Sequence, residues 1–303
     1  MMVAHNVIHP ELRKAAVVRP GEWIGPRTLR PMRALTALIP SARDVEVVRL
    51  GGRSGLRLFR PVNRISPVPA LLWIHGGGYV MGRAKQDDWL CPRFVRRLGI
   101  AVASAEYRLA PEHPYPAGLE DCYTALTWLA RQPWVDADRI AIGGASAGAG
   151  LAAALAFLAR DRGELRPALQ SLTYPMLDDR TVGVAGRRYP MWTPRNNRFA
   201  WDAYLSDADR ETAVPARRTD LSGLPRAWIG IGTLDLFFEE DLAYAERLRN
   251  AGVRCDVQVA EGAFHGFDGL AQRASVSRAF FDSQCASLRA ALTPSEPGGA
   301  ESR

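Results

Sequence analysis

Residues 139–160 have the sequence RIAIGGASAGAGLAAALAFLAR, in which a glycine-rich pentapeptide joins a short apolar run to a longer run of small and apolar residues. Arg139–Gly143 has the length and composition of a buried strand, and Ala147–Arg160 those of a closely packed helix. Between them lies a G-x-S-x-G motif centred on Ser146. In a sharp strand-to-helix turn, glycines at the flanking positions avoid steric collisions and the serine hydroxyl is raised above the sheet edge. The motif therefore predicts a nucleophilic Ser146, with a purely structural Gly/Ser-rich turn as the alternative.

Apolar runs alternate with helical patterns along the rest of the chain. The predicted strands are Asp44–Leu50, Leu56–Arg60, Ala70–His75, Ile100–Tyr107, Arg139–Gly143, Leu169–Tyr174, Ala227–Ile231 and Cys255–Val259. The predicted helices are Asp87–Leu98, Leu119–Arg131, Ala147–Arg160, Glu239–Ala251 and Ala271–Leu292. Alternation of this kind favours a mostly parallel sheet with helices on both faces. We therefore expect an α/β fold with an eight-stranded, mostly parallel sheet formed by residues 44–182 and 219–292.

Three segments fall outside this alternation. Residues 1–43 are rich in proline and arginine, and residues 183–218 combine glycines and prolines with several aromatic side chains. We expect residues 183–218 to form a cap or lid inserted into the main domain, aromatic enough to line a pocket. The tail, residues 293–303, has the composition of a disordered segment.

A second glycine-rich motif, His75-Gly76-Gly77-Gly78, follows the predicted strand Ala70–His75. Consecutive glycines carry an entropic cost, so they suggest a backbone that must approach another group closely. In acyl transfer that group is the oxyanion of the tetrahedral intermediate, and the amides of Gly77, Gly78 and Ala147 could converge on it. A flexible turn is the alternative. A phosphate-binding loop is disfavoured, because neither GK[ST] nor G-x-G-x-x-G accompanies the motif.

A serine nucleophile needs a base that is active near neutral pH, which points to histidine. The chain has five histidines, and the order Ser, then Asp or Glu, then His selects His265 because it alone follows Ser146. The other four are His5, His9, His75 and His113. The acid that orients the histidine is expected at the carboxyl end of a parallel strand, where Asp235 follows Ala227–Ile231. The alternatives Glu239, Glu240 and Asp241 are more typical of the first turn of the next helix.

Overall composition excludes several other classes of function. The net charge is +7, but the basic residues, nearly all arginine, are scattered without the clustering that nucleic-acid binding requires. Cys91, Cys122, Cys255 and Cys285 lack metal-ligand spacing, so we expect reduced, mostly buried thiols and no metal or cofactor. Charged residues interrupt the N-terminus, and the longest uncharged apolar run, Leu151–Ala159, is too short to span a bilayer. The sequence thus predicts a cytoplasmic protein without membrane insertion.

The motifs together resemble the hormone-sensitive-lipase-like (bacterial family IV) esterases of the α/β-hydrolase superfamily. The matching strings are HGGGYVMG at 75–82, EYRLAPEHPYPAGLED at 106–121, GGASAGAGLAAAL at 143–155, GTLDLF at 232–237 and FHGF at 264–267. The resemblance implies an α/β-hydrolase fold, a Ser146–His265–Asp235 triad and an oxyanion hole formed by Gly77, Gly78 and Ala147. It also implies a helical cap built from residues 1–43 and 183–218, and a possible homodimer.

Two residues depart from the family pattern: Ala145 stands where relatives usually have Asp or Thr, and Leu236 replaces a proline. Neither position takes part in proton transfer, so the departures affect substrate preference rather than activity.

The expected activity is hydrolysis of small carboxylic esters with short to medium chains. Aromatic residues near the motifs are expected to shape the substrate pocket, namely Tyr79, Phe237, Phe264 and Phe267. An amidase, formamidase or peptidase with the same triad, or a non-catalytic small-molecule receptor of this fold, remains an alternative.

Overall fold

A single eight-stranded sheet forms the centre of the computed structural model, which describes residues 7–17, 24–38, 40–42, 45–52, 54–62 and 67–293. The strands are β1 (Glu46–Gly51), β2 (Ser54–Phe59), β3 (Val68–Ile74), β4 (Ala101–Glu106), β5 (Val135–Ala145), β6 (Leu169–Thr173), β7 (Ala227–Gly232) and β8 (Cys255–Ala260). Their order across the sheet is β1-β2-β4-β3-β5-β6-β7-β8. The eight predicted strands are therefore confirmed, with small shifts at their ends; Asp44 lies outside the described residues.

Most of the sheet is parallel. Strands β4, β3, β5, β6, β7 and β8 run in the same direction, whereas β2 pairs antiparallel with both β1 and β4. The β1–β2 hairpin closes over the predicted glycine turn, since Gly51 faces Ser54. Because the carboxyl ends of parallel strands share one edge, the loops after β3, β5, β7 and β8 can meet there.

Helices cover both faces of the sheet. They are α1 (Leu29–Ala37), α2 (Cys91–Leu98), α3 (Ala117–Ala130), α4 (Ala147–Arg162), α5 (Pro194–Leu205), α6 (Arg210–Ala213), α7 (Phe238–Asn250), α8 (Phe267–Leu270) and α9 (Ser275–Leu292). Along β3, Leu72 and Ile74 pack with α3 and α4, while Leu71 and Trp73 pack with α2 and α9. Burial on both faces explains why β3 is apolar throughout instead of alternating with polar residues.

Two predicted helices begin later than the sequence suggested. The helix predicted from Asp87 starts at Cys91, and Ala84–Asp87 forms a separate 3₁₀ turn. The helix starts there because Pro92 suits the first helical turn. Asp87 stays outside it because its carboxylate accepts a hydrogen bond from Trp73 Nε1 at 2.8 Å. The helix predicted from Ala271 starts at Ser275 as α9, and the separate short helix α8 ends at Leu270, before the predicted start. The amide of Ser275 donates to Glu11 Oε2 at 2.8 Å, a contact with a distant part of the chain that holds the start of α9.

The two predicted cap segments are partly helical. Residues 183–218 contain α5 and α6, and the N-terminal segment contains α1 together with two 3₁₀ turns at Pro10–Leu12 and Ala15–Val17. Of the predicted cap 1–43, residues 1–6, 18–23, 39 and 43 lie outside the described residues, as do 294–303 of the predicted tail. The division into catalytic domain and cap stays a prediction. No described helix has the length and apolarity needed to cross a bilayer.

Candidate active site

Ser146 occupies the sharp turn between β5 and α4. Its backbone has φ 57° and ψ −123°, a conformation that costs a non-glycine residue about 1–3 kcal/mol and persists only where the surroundings enforce it. Gly144 and Gly148 make the turn possible, because a Cβ atom at either position would come within 2.4 Å of the Ile74 carbonyl oxygen. The Ser146 amide donates to the Thr173 carbonyl at 2.9 Å. These contacts fix the serine at the carboxyl edge of the sheet.

A chain of two hydrogen bonds joins Ser146, His265 and Asp235. The Ser146 hydroxyl lies 2.9 Å from His265 Nε2, and His265 Nδ1 lies 2.8 Å from Asp235 Oδ2. An ionised carboxylate only accepts hydrogen bonds, so the imidazole proton belongs on Nδ1 and Nε2 is free to accept the serine proton. The other Asp235 oxygen accepts from the Phe237 amide at 3.1 Å, which fixes the carboxylate orientation.

The triad geometry follows from strand order. Ser146 follows β5, Asp235 follows β7 and His265 follows β8, so all three lie in loops at the same edge of the sheet. All three side chains are buried. The structure thus brings together the serine, acid and histidine that the sequence singled out, although Asp235 and His265 lie 89 and 119 positions from Ser146 along the chain.

The HGGG loop packs directly on the nucleophile turn. A Cβ atom at Gly76 would lie 3.3 Å from Ser146 Cβ and 2.8 Å from the Ala145 carbonyl oxygen. Gly77 and Gly78 have φ values of 130° and 60°, and a side chain at Gly77 would collide with the Met81 carbonyl oxygen at 2.0 Å. Glycine is therefore required for the loop to approach Ser146.

Three backbone amides lie in this region, those of Gly77, Gly78 and Ala147. Among the described residues, no group accepts a hydrogen bond from the amides of Gly77, Gly78 or Ala147. Ala147 is also the first residue of α4, where backbone amides have no partner within the helix. Unpaired amides beside a nucleophilic serine can bind the negative oxygen of a tetrahedral intermediate.

The four aromatic residues predicted to shape the pocket are all buried. Phe237 contacts His265 edge to face, with ring centroids 5.3 Å apart. Tyr79 stacks on Tyr204 at 4.1 Å and its hydroxyl donates to the Met176 carbonyl at 2.9 Å. Phe267 packs against Phe280 in the core, and Phe264 is fully buried. Among the described residues, Phe237 is the one of the four whose ring contacts a triad side chain, that of His265.

Three residues near the triad were not singled out from the sequence. Trp192 packs on Gly78 and lies 6.2 Å from the His265 ring. Tyr174 contacts the same imidazole, with ring centroids 4.7 Å apart, and donates a hydrogen bond to Asp268. Tyr174 ends a predicted strand and Trp192 belongs to the aromatic insertion, so both carried a weak signal. Asp268 carried none beyond its position three residues after His265.

Ionic contacts brace the loop that precedes α3. Arg108 forms a two-point salt bridge with Asp121, with both nitrogen–oxygen distances 2.9 Å. Arg33 of α1 donates to the Val80 carbonyl at 2.7 Å and to both Glu112 oxygens. Arg33 therefore ties the N-terminal helix to the segment that follows the HGGG motif and to the loop containing Glu112.

The cysteines are buried and form no disulfide. Burial raises the pKa of Cys255 and of Cys285 to about 12, and it raises the pKa values of Cys91 and Cys122 as well. All four thiols are therefore neutral at pH 7. Within the part of the chain that the structure describes, no group of three or more His, Cys, Asp or Glu side chains is arranged to hold a metal ion.

Comparisons with known proteins agree with this fold. A sequence model of the α/β-hydrolase fold family matches residues 71–269. The carboxylic ester hydrolase LipN of Mycobacterium tuberculosis is 35% identical over 285 residues, covering 86% of this chain and 75% of LipN. The solved structure of a bacterial heroin esterase aligns with a TM-score of 0.85 at 35% identity and covers 95% of this chain and 99% of that chain.

A protein with a different role is also similar. A gibberellin receptor of Oryza sativa subsp. japonica is 35% identical over 219 residues, which cover 66% of this chain and 61% of the receptor. Sequence similarity therefore extends to both enzymes and a receptor. The residues around Ser146 are what can distinguish the two roles in this chain.

Proposed function

The chain belongs to the α/β-hydrolase family and is a carboxylic ester hydrolase, and we propose that it cleaves short- to medium-chain esters with Ser146 as nucleophile. The observation that supports this most directly is the hydrogen-bond chain from Ser146 through His265 to Asp235, with distances of 2.9 and 2.8 Å. The similarity to LipN and to the heroin esterase supports the ester as substrate class. His265 is the general base, and Asp235 holds its tautomer.

In the acylation step, Ser146 Oγ attacks the carbonyl carbon of the ester while His265 Nε2 takes the hydroxyl proton. The imidazolium that forms is stabilised by Asp235 through its hydrogen bond to Nδ1. Collapse of the tetrahedral intermediate breaks the bond to the alcohol oxygen, and His265 Nε2 returns its proton to that oxygen. The products of this step are the free alcohol and an acyl group bound to Ser146.

The negative oxygen of the intermediate is bound by the amides of Gly77, Gly78 and Ala147. Their lack of acceptors among the described residues supports this role, since such donors need no rearrangement before the reaction. Loss of one oxyanion donor in such a site typically raises the barrier by about 3–4 kcal/mol. The positive end of α4, which begins at Ala147, adds to the stabilisation.

In the deacylation step, water replaces the serine in the same sequence of events. His265 takes a proton from the water, whose oxygen attacks the acyl carbon, and Ser146 leaves with the proton restored by the imidazolium. The carboxylic acid is released and the enzyme is regenerated. Amide hydrolysis would use the same groups, but no specific observation favours it over ester hydrolysis.

Ester kinetics with matched variants test this proposal. We expect the parent protein to hydrolyse p-nitrophenyl acetate and butyrate, and Ser146→Ala to lose at least about 10³-fold in kcat. Ser222→Ala, an exposed serine on the loop before β7, is the control and should match the parent. A matched series of anilides measures the amidase alternative. Full activity of Ser146→Ala would contradict the proposal, and absence of hydrolysis by the parent would favour a receptor.

A further inference from the structure

Tyr174, which is buried, and Asp268, which is partly buried, form a polar pair beside the triad. The Tyr174 hydroxyl donates to Asp268 Oδ1 at 2.8 Å. Tyr174 follows the end of β6 and Asp268 is the second residue of α8, so the bond joins two elements 94 positions apart in sequence. Tyr174 is buried and has φ 36°, a positive value that is uncommon for a residue with a large side chain. The residue whose hydroxyl bonds Asp268 therefore has a strained backbone conformation.

The Tyr174 ring of this pair contacts His265, the proposed general base. The Tyr174 ring meets the His265 ring edge to face, with centroids 4.7 Å apart and an interplanar angle of 61°. Asp268 lies three residues after His265, and the two groups interact electrostatically. His265 therefore has two carboxylates in its surroundings: Asp235, bonded to Nδ1, and Asp268, held in place by Tyr174.

Titratable groups from several elements face Asp268. They are the Tyr174 hydroxyl after β6, His265 after β8 and Asp87 from the 3₁₀ turn before α2. Burial raises the pKa of Asp268, whereas the hydrogen bond from Tyr174 and the nearby His265 oppose that increase by favouring the carboxylate. The pair is thus built so that a charged His265 and an ionised Asp268 stabilise each other.

We propose that Asp268, oriented by Tyr174, is a second acid that acts on His265 and stabilises its imidazolium form during ester hydrolysis. This inference rests on the proposed function, because it assigns a role to groups around the same histidine. Asp268 is a positioning residue: it acts through His265 and has no role in bond making or breaking. The Tyr174 ring adds a packing contact that restrains the imidazole as it moves between the serine and the leaving group.

The electrostatic role predicts a specific change in kinetics. Asp268→Asn retains the acceptor for the Tyr174 hydroxyl but removes the negative charge. We expect kcat to fall about three- to tenfold, as loss of a partly solvated charge interaction would cause, with KM within about twofold of the parent. Because a nearby negative charge favours the imidazolium, its removal should move the acid limb of the kcat/KM profile to lower pH.

Further variants separate charge from packing. Tyr174→Phe keeps the ring contact and removes the hydrogen bond, and its effect should not add fully to that of Asp268→Asn, since both changes act on one unit. Asp268→Glu keeps the negative charge, so its kcat and the pH of its acid limb should lie between those of Asp268→Asn and those of the parent. Asp282→Asn is the charge control, because Asp282 pairs with Arg97 at the surface, where both side chains are more than half exposed.

The kinetics and pH profile of Asp268→Asn can overturn the inference in two ways. A parent-like kcat and pH profile for Asp268→Asn would overturn the inference. So would a fall in kcat with an unmoved acid limb, because that result indicates a purely structural role. If Asp268→Asn fails to fold, as circular dichroism would show, Tyr174→Phe tests the positioning of Asp268 instead, and a parent-like kcat and acid limb for that variant would also overturn the inference. An active Ser146→Ala would refute the proposed function itself, whereas an inactive Ser146→Ala with a silent Asp268→Asn refutes this inference alone.

Discussion

The indole of Trp192 lies directly on Gly78: a Cβ atom added to Gly78 would come within 2.3 Å of Cη2 of the indole. Trp192 is buried, and its Nε1 donates to Asn197 Oδ1 at 3.3 Å. A residue of the 183–218 insertion therefore forms a wall beside the proposed oxyanion loop and near His265. The size of this side chain should limit which esters reach Ser146.

Replacement of Trp192 by a smaller residue should widen the range of substrates. In Trp192→Ala, the ratio of kcat/KM for p-nitrophenyl octanoate to that for the butyrate should rise about tenfold, since methylene groups in an apolar pocket contribute on the order of 1 kcal/mol each. Trp134→Ala is the control, because Trp134 stacks on Arg60 and is partly exposed. An unchanged ratio in Trp192→Ala, with the fold retained, would show that another side chain sets the limit.

Asp235→Asn should impair catalysis far more than substrate binding. An amide nitrogen facing His265 Nδ1 would favour the tautomer with its proton on Nε2, which cannot accept a proton from Ser146. We expect kcat to fall on the order of 10⁴-fold, with KM near that of the parent. Steady-state kinetics on p-nitrophenyl butyrate measure this. Retention of more than about a tenth of kcat would contradict the assigned role of Asp235.

Arg33→Ala should destabilise the protein by detaching the N-terminal helix from the loops it contacts. Arg33 bonds the carbonyls of Val80 and Ala110 as well as Glu112, so its removal leaves partly buried acceptors unpaired. We expect a loss of about 1–3 kcal/mol in the free energy of unfolding by urea denaturation. Arg30→Ala on the same helix, which is exposed, should change it by less than about 0.5 kcal/mol. Equal effects of the two variants would refute the anchoring role.

The stability of the protein should depend on pH through Asp87. Burial raises the pKa of this carboxyl to about 7, compared with about 3.9 in an unfolded chain. Between these values the unfolded state releases the proton and the folded state keeps it, so the contribution of Asp87 to stability decreases as pH rises from 4 to 7 and is constant above that. The slope is at most about 1.4 kcal/mol per pH unit.

Asp87→Asn removes this dependence and preserves an acceptor for Trp73 Nε1. The variant should therefore gain stability relative to the parent as pH rises from 4 to 7, measured from urea midpoints. Glu240, whose pKa is raised to about 8 by burial, adds a similar decrease that the variant keeps. Asp138→Asn, an exposed position, serves as the control. A constant difference between Asp87→Asn and the parent across this range would contradict the assignment.

Much of the fold could be predicted because its signals are local. The eight apolar runs became the eight strands, and G-x-S-x-G between a strand and a helix became the turn at Ser146. The order of residues along the chain was enough to pair His265 and Asp235 with that serine, because parallel strands bring their carboxyl ends to one edge.

The missed features depend on contacts between distant parts of the chain. The start of α9 depends on Glu11, and the end at Asp87 of the 3₁₀ turn before α2 depends on Trp73. The Tyr174–Asp268 bond and the contact of Trp192 with Gly78 likewise join residues far apart in sequence. No periodicity or spacing encodes such pairs, so they emerged only from the three-dimensional structure.

The central claim is that Ser146 is the nucleophile, and covalent labelling tests it most directly. The parent protein is treated with a fluorophosphonate, and its intact mass, the labelled peptide and the remaining esterase activity are followed together. We predict a single adduct on Ser146 that forms in parallel with the loss of activity, and no adduct in Ser146→Ala. An adduct on another residue that accompanies inactivation, or a fully active and unlabelled parent, would contradict the account.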